Sequence, residues 1–214
     1  MYFGEWVVVR MDYQEGLRQV SDANSKIVEA NGEVADVIFS VYIYHWNWYL
    51  ALFLIIAPWV IWAIFRNRES SARLLLAALL IMIFSAVLDT IGIENGLWAY
   101  PVKAIPSPTL SFSYRLSVLP VLAMLLIQYK PHISPILKAI FYGGISAYVG
   151  LPLMAMADLY KKLNWAYTYS FFILITMYLI AYWLTQLKSF TPITSEPGRG
   201  DKEIHLVRRR EKAR

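Results

Sequence analysis

The sequence predicts an all-α integral membrane bundle of about five transmembrane helices, with the N-terminus outside and the C-terminus in the cytoplasm. Hydrophobic residues make up 58% of the 214 residues and charged residues only 16%, which is far from the balance of a soluble domain. Eight tryptophans and fifteen tyrosines fit a protein with two membrane–water interfaces, where amphipathic rings collect. We therefore expect a multi-pass protein of the cell membrane.

Each predicted span is a long stretch with almost no charge. The stretches are residues 48–65, 74–93, 108–129, 139–157 and 163–187. A spanning helix needs roughly 20 apolar residues, and lipid favours helices over open strands because backbone polar groups must be satisfied internally. Only Asp89 and Arg115 carry charge within these stretches. A soluble helical bundle is the alternative, but its helices seldom run so long without a polar face.

Basic residues in the connecting segments predict the orientation. Those after the first and third stretches are Arg66, Arg68, Arg73, Lys130 and Lys138. The predicted division is an extracytoplasmic acidic helical lead-in (1–41), a five-span domain (42–187) and a basic cytoplasmic tail (188–214). Lys161 and Lys162 lie on the opposite side and oppose this orientation mildly. We expect no signal peptide, since the first residues are acidic and aromatic.

Residues 12–38 predict an exposed helix before the first span. Its apolar residues are Leu17, Val20, Ala23, Ile27 and Val34, spaced by three, four and seven positions. A docking or membrane-surface helix and a solvated lead-in to the first span are both compatible with this pattern.

The two buried charges are expected at one depth. A helix rises about 1.5 Å per residue, which places Asp89 about 24 Å beyond Arg73 and Arg115 about 22 Å before Lys130. Both then lie in the outer third of a hydrocarbon core about 30 Å thick. Since spans two and three are consecutive, the sequence predicts an Asp89–Arg115 pair. Ionisable groups in a bilayer are costly and usually functional.

Other polar and aromatic groups are expected at the same outer level. The candidate binding pocket comprises His45, Asp89, Glu94, Trp98, Tyr100, Arg115 and Asp158. Alternatives stay open for several members. Asp89 and Arg115 could be a structural pair that fixes helix register, Glu94 could be solvated, and Trp98 and Tyr100 could be interfacial anchors.

Five small or rigid residues are expected to shape the backbone. Gly92 and Gly96 permit a tight exit from the second span or a close backbone approach. Pro120 falls inside the third span and should kink it. Gly143 and Ala147 belong to a small-residue stripe on the fourth span, which lets another helix pack closely.

Several kinds of chemistry are not expected. The chain has no Cys, which removes thiol catalysis and Cys-ligated metal sites. His132 and His205 lack ligand-spaced partners, and no nucleophile elbow, phosphate loop or dinucleotide fingerprint occurs. We expect no metal and no cofactor. The net charge of +5 lies in segments that flank hydrophobic runs, so a nucleic acid partner is not expected either.

The segment from Asp89 to Pro101, with its Gly92, Gly96, Trp98 and Tyr100, resembles an uncharacterised family of small bacterial multi-pass membrane proteins. The His45-Trp46 pair before the first span fits the same family, and the resemblance covers roughly residues 42–185. A looser resemblance links the chain to the lycopene-cyclase-type membrane domain, which also has a Gly-x-Trp pattern at a helix end. That family carries a Pro-x-Glu acidic motif in the next helix, where this chain has Pro120 without an acid.

We predict a non-enzymatic membrane protein that binds a lipid or a partner protein through the outer-side cluster. The alternative is an enzyme acting on a prenyl or other lipid chain, with Asp89 or Glu94 as acid and Arg115 as charge stabiliser. A transport component is the third possibility. The enzyme hypothesis requires a closed, lipid-sized cavity into which both carboxylates point.

Overall fold

The computed structural model describes residues 12–106 and 111–187, and these residues are mostly helical. The elements are α1 (Tyr13–Ser40), a 3₁₀ turn (Tyr42–Tyr44), α2 (Trp46–Phe65), α3 (Ser71–Glu94), β1 (Trp98–Ala99), α4 (Tyr114–Gln128), α5 (Pro135–Met156), β2 (Lys161–Lys162) and α6 (Tyr167–Thr185). The all-α class is confirmed. The predicted basic tail, 188–214, lies outside the described residues.

In the part of the chain that the structure describes, four helices, α2, α3, α5 and α6, are long and apolar enough to cross a membrane. Their most apolar windows have mean hydropathies between 1.5 and 2.5. Large apolar side chains such as Phe53, Ile83 and Phe172 are exposed on their outward faces. A soluble monomer rarely exposes apolar surface on this scale, whereas a lipid-facing surface requires it.

The third predicted span is shorter in the structure than the sequence suggested. The helix α4 covers Tyr114–Gln128 rather than 108–129. Residues 108–110 of the predicted span lie outside the part of the chain that the structure describes. Within the described residues there are thus four helices of full spanning length and one shorter apolar helix, where the sequence predicted five spans.

The shorter helix α4 packs against α2, α3 and α5, and α6 closes the bundle against α3 and α5. Gly143 on α5 lies where an added Cβ would come within 2.9 Å of the Phe171 backbone oxygen. Ala147, one turn further, is fully buried. These small residues bring α5 and α6 into close contact, which is the role expected of a small-residue stripe.

Two π-helical turns interrupt the bundle helices, at Tyr114–Val118 in α4 and at Ser146–Gly150 in α5. Pro120 and Pro152 each lie two residues after the end of a turn, so each irregular turn is close to a residue that cannot donate a backbone hydrogen bond. The Tyr114 hydroxyl donates to the Ser146 carbonyl at 2.6 Å. A Cβ at Gly150 would overlap that hydroxyl. The two π turns are thus joined through one tyrosine.

The helix α1 is exposed along most of its 28 residues. Ile38, near its end, is its only buried side chain. The exposed helix expected over 12–38 is present as one continuous helix.

Candidate functional site

The Asp89–Arg115 pair predicted by depth counting is formed. The Arg115 Nε lies 3.1 Å from the Asp89 Oδ1, and the two side chains are 6% and 0% exposed. Asp89 comes from α3 and Arg115 from the π turn of α4, so the pair fixes the two helices at one register. A buried charge is tolerated when it is paired and hydrogen-bonded.

Two aromatic side chains complete the pair. The Tyr100 hydroxyl donates to Asp89 Oδ1 at 2.8 Å and accepts from Arg115 Nε at 3.1 Å. The Trp98 Nε1 donates to the same carboxylate oxygen at 3.3 Å, and the Arg115 guanidinium lies 5.7 Å from the centre of the Trp98 ring. We call these four residues the Asp89 cluster. Burial raises the pKa of Tyr100 above its ordinary value, which keeps the hydroxyl protonated as a donor.

The chain after α3 folds back because of two glycines. Gly96 adopts φ +63°, a left-handed conformation that glycine adopts without steric cost. The Leu97 amide then donates to the Gly92 carbonyl at 2.8 Å. A Cβ at Gly92 would overlap the Trp98 indole, so the absent side chain makes room for the ring that reaches Asp89.

A small antiparallel sheet ties this loop to the loop after α5. Trp98 pairs with Lys162 and Ala99 with Lys161. The Val102 amide also donates to the Asp158 carbonyl at 3.1 Å. The segment after α3 that contains β1 therefore lies over the end of the bundle and does not extend away from it.

This closure corrects the expectation that Trp98 and Tyr100 are interfacial anchors. They are 4% and 5% exposed, and both donate to Asp89. Trp165 packs edge-on against Trp98 with ring centres 5.0 Å apart. The anchoring hypothesis treated the loop as open to the interface, whereas strand pairing buries its aromatic residues.

The other predicted members of the binding pocket, Glu94, His45 and Asp158, lie in two different places. Glu94 ends α3 as an exposed side chain and does not join the cluster. His45 and Asp158 line an open pocket of about 580 Å³, which we call the loop pocket. Its full lining is Tyr42, His45, Asn47, Pro101, Val102, Ala155, Asp158, Tyr160, Lys161, Lys162 and Tyr167.

The loop pocket has charges of both signs and aromatic walls. Lys161, Lys162 and Asp158 are exposed, and the Lys162 Nζ lies 5.0 Å from the centre of the Tyr167 ring. Burial raises the pKa of Tyr160 to about 12. The Tyr160 hydroxyl has no hydrogen-bond partner among the residues that the structure describes. The pocket therefore offers ammonium and hydroxyl donors beside one carboxylate.

The lysines and Tyr160 were not among the predicted site residues. The signal for the lysines was present, because Lys161 and Lys162 were the bases that opposed the predicted orientation. A further base, Lys103, is buried near the Asp89 cluster. Its burial lowers its pKa, and the Asp89 charge opposes that shift.

The requirement of the enzyme hypothesis is not met at these residues. Asp89 is ion-paired with Arg115 in a packed interior, while Glu94 is exposed. The loop pocket is lined by neither carboxylate. Within residues 12–106 and 111–187, no group of three or more His, Asp or Glu side chains could hold a metal ion.

The fold and site define a helical protein with four candidate membrane-spanning helices and a loop pocket at one end. Comparisons with protein-family models, with curated proteins and with solved structures found no match.

Proposed function

We propose that this chain is a non-enzymatic multi-pass membrane protein whose loop pocket binds the phosphate-bearing headgroup of a lipid. Its membrane would be the bacterial cell membrane, in keeping with the family that the Asp89-to-Pro101 segment resembles. The proposed binding site contains only part of the cluster expected from the sequence. The Asp89 cluster holds the neighbouring helices and loop together, and the loop pocket contacts the ligand.

Membrane insertion is supported by the four long apolar helices and their exposed apolar faces. In the proposed topology the shorter α4 is the remaining span, which gives five. Arg66 follows α2 and Lys130 follows α4. Basic residues of this kind favour the cytoplasmic side. The loop pocket, at the opposite ends of these helices, then faces outward together with α1.

One observation carries the choice of ligand: Lys161 and Lys162 line an open pocket at the ends of apolar helices. An ammonium group binds phosphate as a point charge, and the polar headgroup of a lipid occupies this level of the bilayer. Asp158 also lines the pocket and suits a headgroup amine. The aromatic rings of Tyr42 and Tyr167 supply apolar contact for the glycerol region.

A prenyl or lipid enzyme is less well supported. Its acid would be Asp89 or Glu94. The first is ion-paired with Arg115 and accepts a hydrogen bond from Tyr100, and the second does not line the loop pocket. A partner protein remains the other ligand class that the sequence predicted. It would use the same lysines but would not require a phosphate.

The test is a thermal shift of the full chain in detergent. A short-chain phospholipid should raise the melting temperature, and the diacylglycerol with the same chains should not. The double variant Lys161→Gln with Lys162→Gln should lose the shift. The matched control, Arg66→Gln with Lys130→Gln, removes two charges at the other end of the bundle and should retain it. An equal shift in both double variants would contradict the proposal, and no shift with the native chain would favour a protein ligand.

A further inference from the structure

The helix α1 has a heptad pattern along its exposed surface. The residues that form the pattern are Tyr13, Leu17, Val20, Asn24, Ile27, Asn31, Val34 and Ile38, spaced alternately by four and three positions. This is the spacing of the a and d positions of a coiled coil, with Leu17 at an a position. Val20 is 61% exposed and Ile27 57%. Ile38, the last residue of the pattern, is buried by the chain itself, whereas the described part of the chain leaves the apolar residues from Tyr13 to Val34 uncovered.

The charges of α1 are kept away from this stripe. Four acids, Glu15, Asp22, Glu29 and Asp36, recur every seven residues on the opposite side. The remaining charges, Arg18, Lys26 and Glu33, flank that acidic column. The positions beside the stripe are Gln14, Gly16, Ser21, Ala23, Val28, Ala30, Ala35 and Val37. Since all of them are uncharged, a second α1 could pack on the stripe without like charges meeting.

Asn24 and Asn31 identify the occupant as another copy of the same helix. Both occupy a positions, where an asparagine lowers stability but fixes register by pairing with the asparagine of a parallel partner. An unrelated apolar partner would leave these amides unsatisfied, which is costly. An identical chain aligned in parallel supplies the matching amide at each level.

An anionic membrane surface is a poorer occupant. The helix has five acids and two bases, whereas helices that lie on membranes have Lys and Arg on their polar face. The acidic column would be repelled by anionic headgroups. Two copies in one membrane have the same orientation, so their α1 helices emerge in parallel on the same side.

We propose that α1 binds α1 of a second copy as a parallel, in-register coiled coil, so that the protein self-associates on the side of the membrane where α1 lies. At about 1.5 Å per residue the helix is about 42 Å long, which spans four heptads and is long enough for a coiled coil. The inference goes beyond headgroup binding and does not depend on the loop pocket.

Disulfide cross-linking tests the α1 coiled coil without interference from native thiols, because the chain has no Cys. Val20→Cys and Ile27→Cys place a thiol on the stripe, while Asp22→Cys and Glu29→Cys place one on the acidic column. In membranes treated with a mild oxidant, the first two should form covalent dimers at least several-fold more than the last two. A parallel, in-register coil brings the same residue of two chains within disulfide distance. Equal cross-linking at the four positions, or none at the stripe, would overturn the proposal.

A second measurement distinguishes inefficient disulfide formation from the absence of pairing between two α1 helices. Ile27→Asp places a charge on the stripe and should reduce the mass of the protein–detergent complex, measured by light scattering, to that of one chain. Glu29→Gln, on the acidic column, should leave the mass of the associated form unchanged. A mass unaffected by Ile27→Asp would contradict the coiled coil. A cooperative thermal melt of the Ile27→Asp variant, at a temperature close to that of the native chain, checks that the bundle is folded.

Discussion

Asp89 Oδ1 and Arg115 Nε lie 3.1 Å apart in the interior of the bundle, and Tyr100 bridges the same two groups through its hydroxyl. The Asp89 carboxylate therefore interacts with groups of the protein itself. This arrangement explains why Asp89 and Arg115, the charged residues of the predicted spans, lie in the interior beside the loop pocket and do not line it.

Removing one charge of this pair should be more harmful than removing both. We predict that Asp89→Asn destabilises the fold by about 3–5 kcal/mol, because it leaves the Arg115 charge buried without a counter-charge. The double variant Asp89→Asn with Arg115→Gln should recover much of that loss, since an amide still accepts from Tyr100. Thermal melting in detergent measures both. If the losses of the two single variants simply add in the double variant, the residues do not act as a pair.

Gly92 should be intolerant of even one methyl group. An alanine Cβ would overlap the Trp98 indole, which cannot move without weakening its bond to Asp89, and we expect Gly92→Ala to cost about 1–3 kcal/mol. Gly32→Ala is the matched control, because nothing lies within 4 Å of its Cβ position. That helical substitution should stabilise α1 by up to about 1 kcal/mol. Similar melting temperatures for the two variants would refute the assigned role of Gly92.

The Tyr100 hydroxyl should matter beyond the ring. Tyr100→Phe keeps the packing but removes the donor to Asp89 and the acceptor for Arg115, and we expect a loss of about 1–3 kcal/mol. Tyr44→Phe is the control, since Tyr44 is 80% exposed and should melt like the native chain. An unchanged melting temperature for Tyr100→Phe would show that the bridge contributes nothing.

Alkaline pH should destabilise the fold through Tyr160. Burial raises its pKa from 10.0 to about 12, so the unfolded chain loses this proton at a lower pH than the folded chain does. The stabilising contribution is therefore complete below about pH 10 and is lost as the pH rises towards 12. Melting temperatures between these limits should fall more steeply for the native chain than for Tyr160→Phe. Parallel curves would exclude a buried, protonated hydroxyl at this position.

The sequence predicted the helices because they are long stretches with almost no charge. It predicted the ion pair because helix rise converts residue number into depth. Asp89 and Arg115 lie on consecutive helices at similar distances from their basic ends, so local geometry was enough to pair them. The shorter α4 was harder to foresee, because hydropathy identifies an apolar stretch but not the residue at which its helix begins.

The loop pocket could not be predicted in the same way. It depends on β1 pairing with β2, two strands of two residues each, which are too short for an alternating pattern. That pairing buries Trp98 and Tyr100 and brings Lys161 and Lys162 to the pocket. Contacts between segments so distant along the chain leave no periodic signal in either segment.

A density map of the full chain with a bound short-chain phospholipid is the most direct test of where the ligand lies. Headgroup binding predicts phosphate density within reach of the Lys161 or Lys162 ammonium group, with Asp89 still bonded to Arg115 and Tyr100. Phosphate density elsewhere, with the loop pocket empty, would contradict the proposed function.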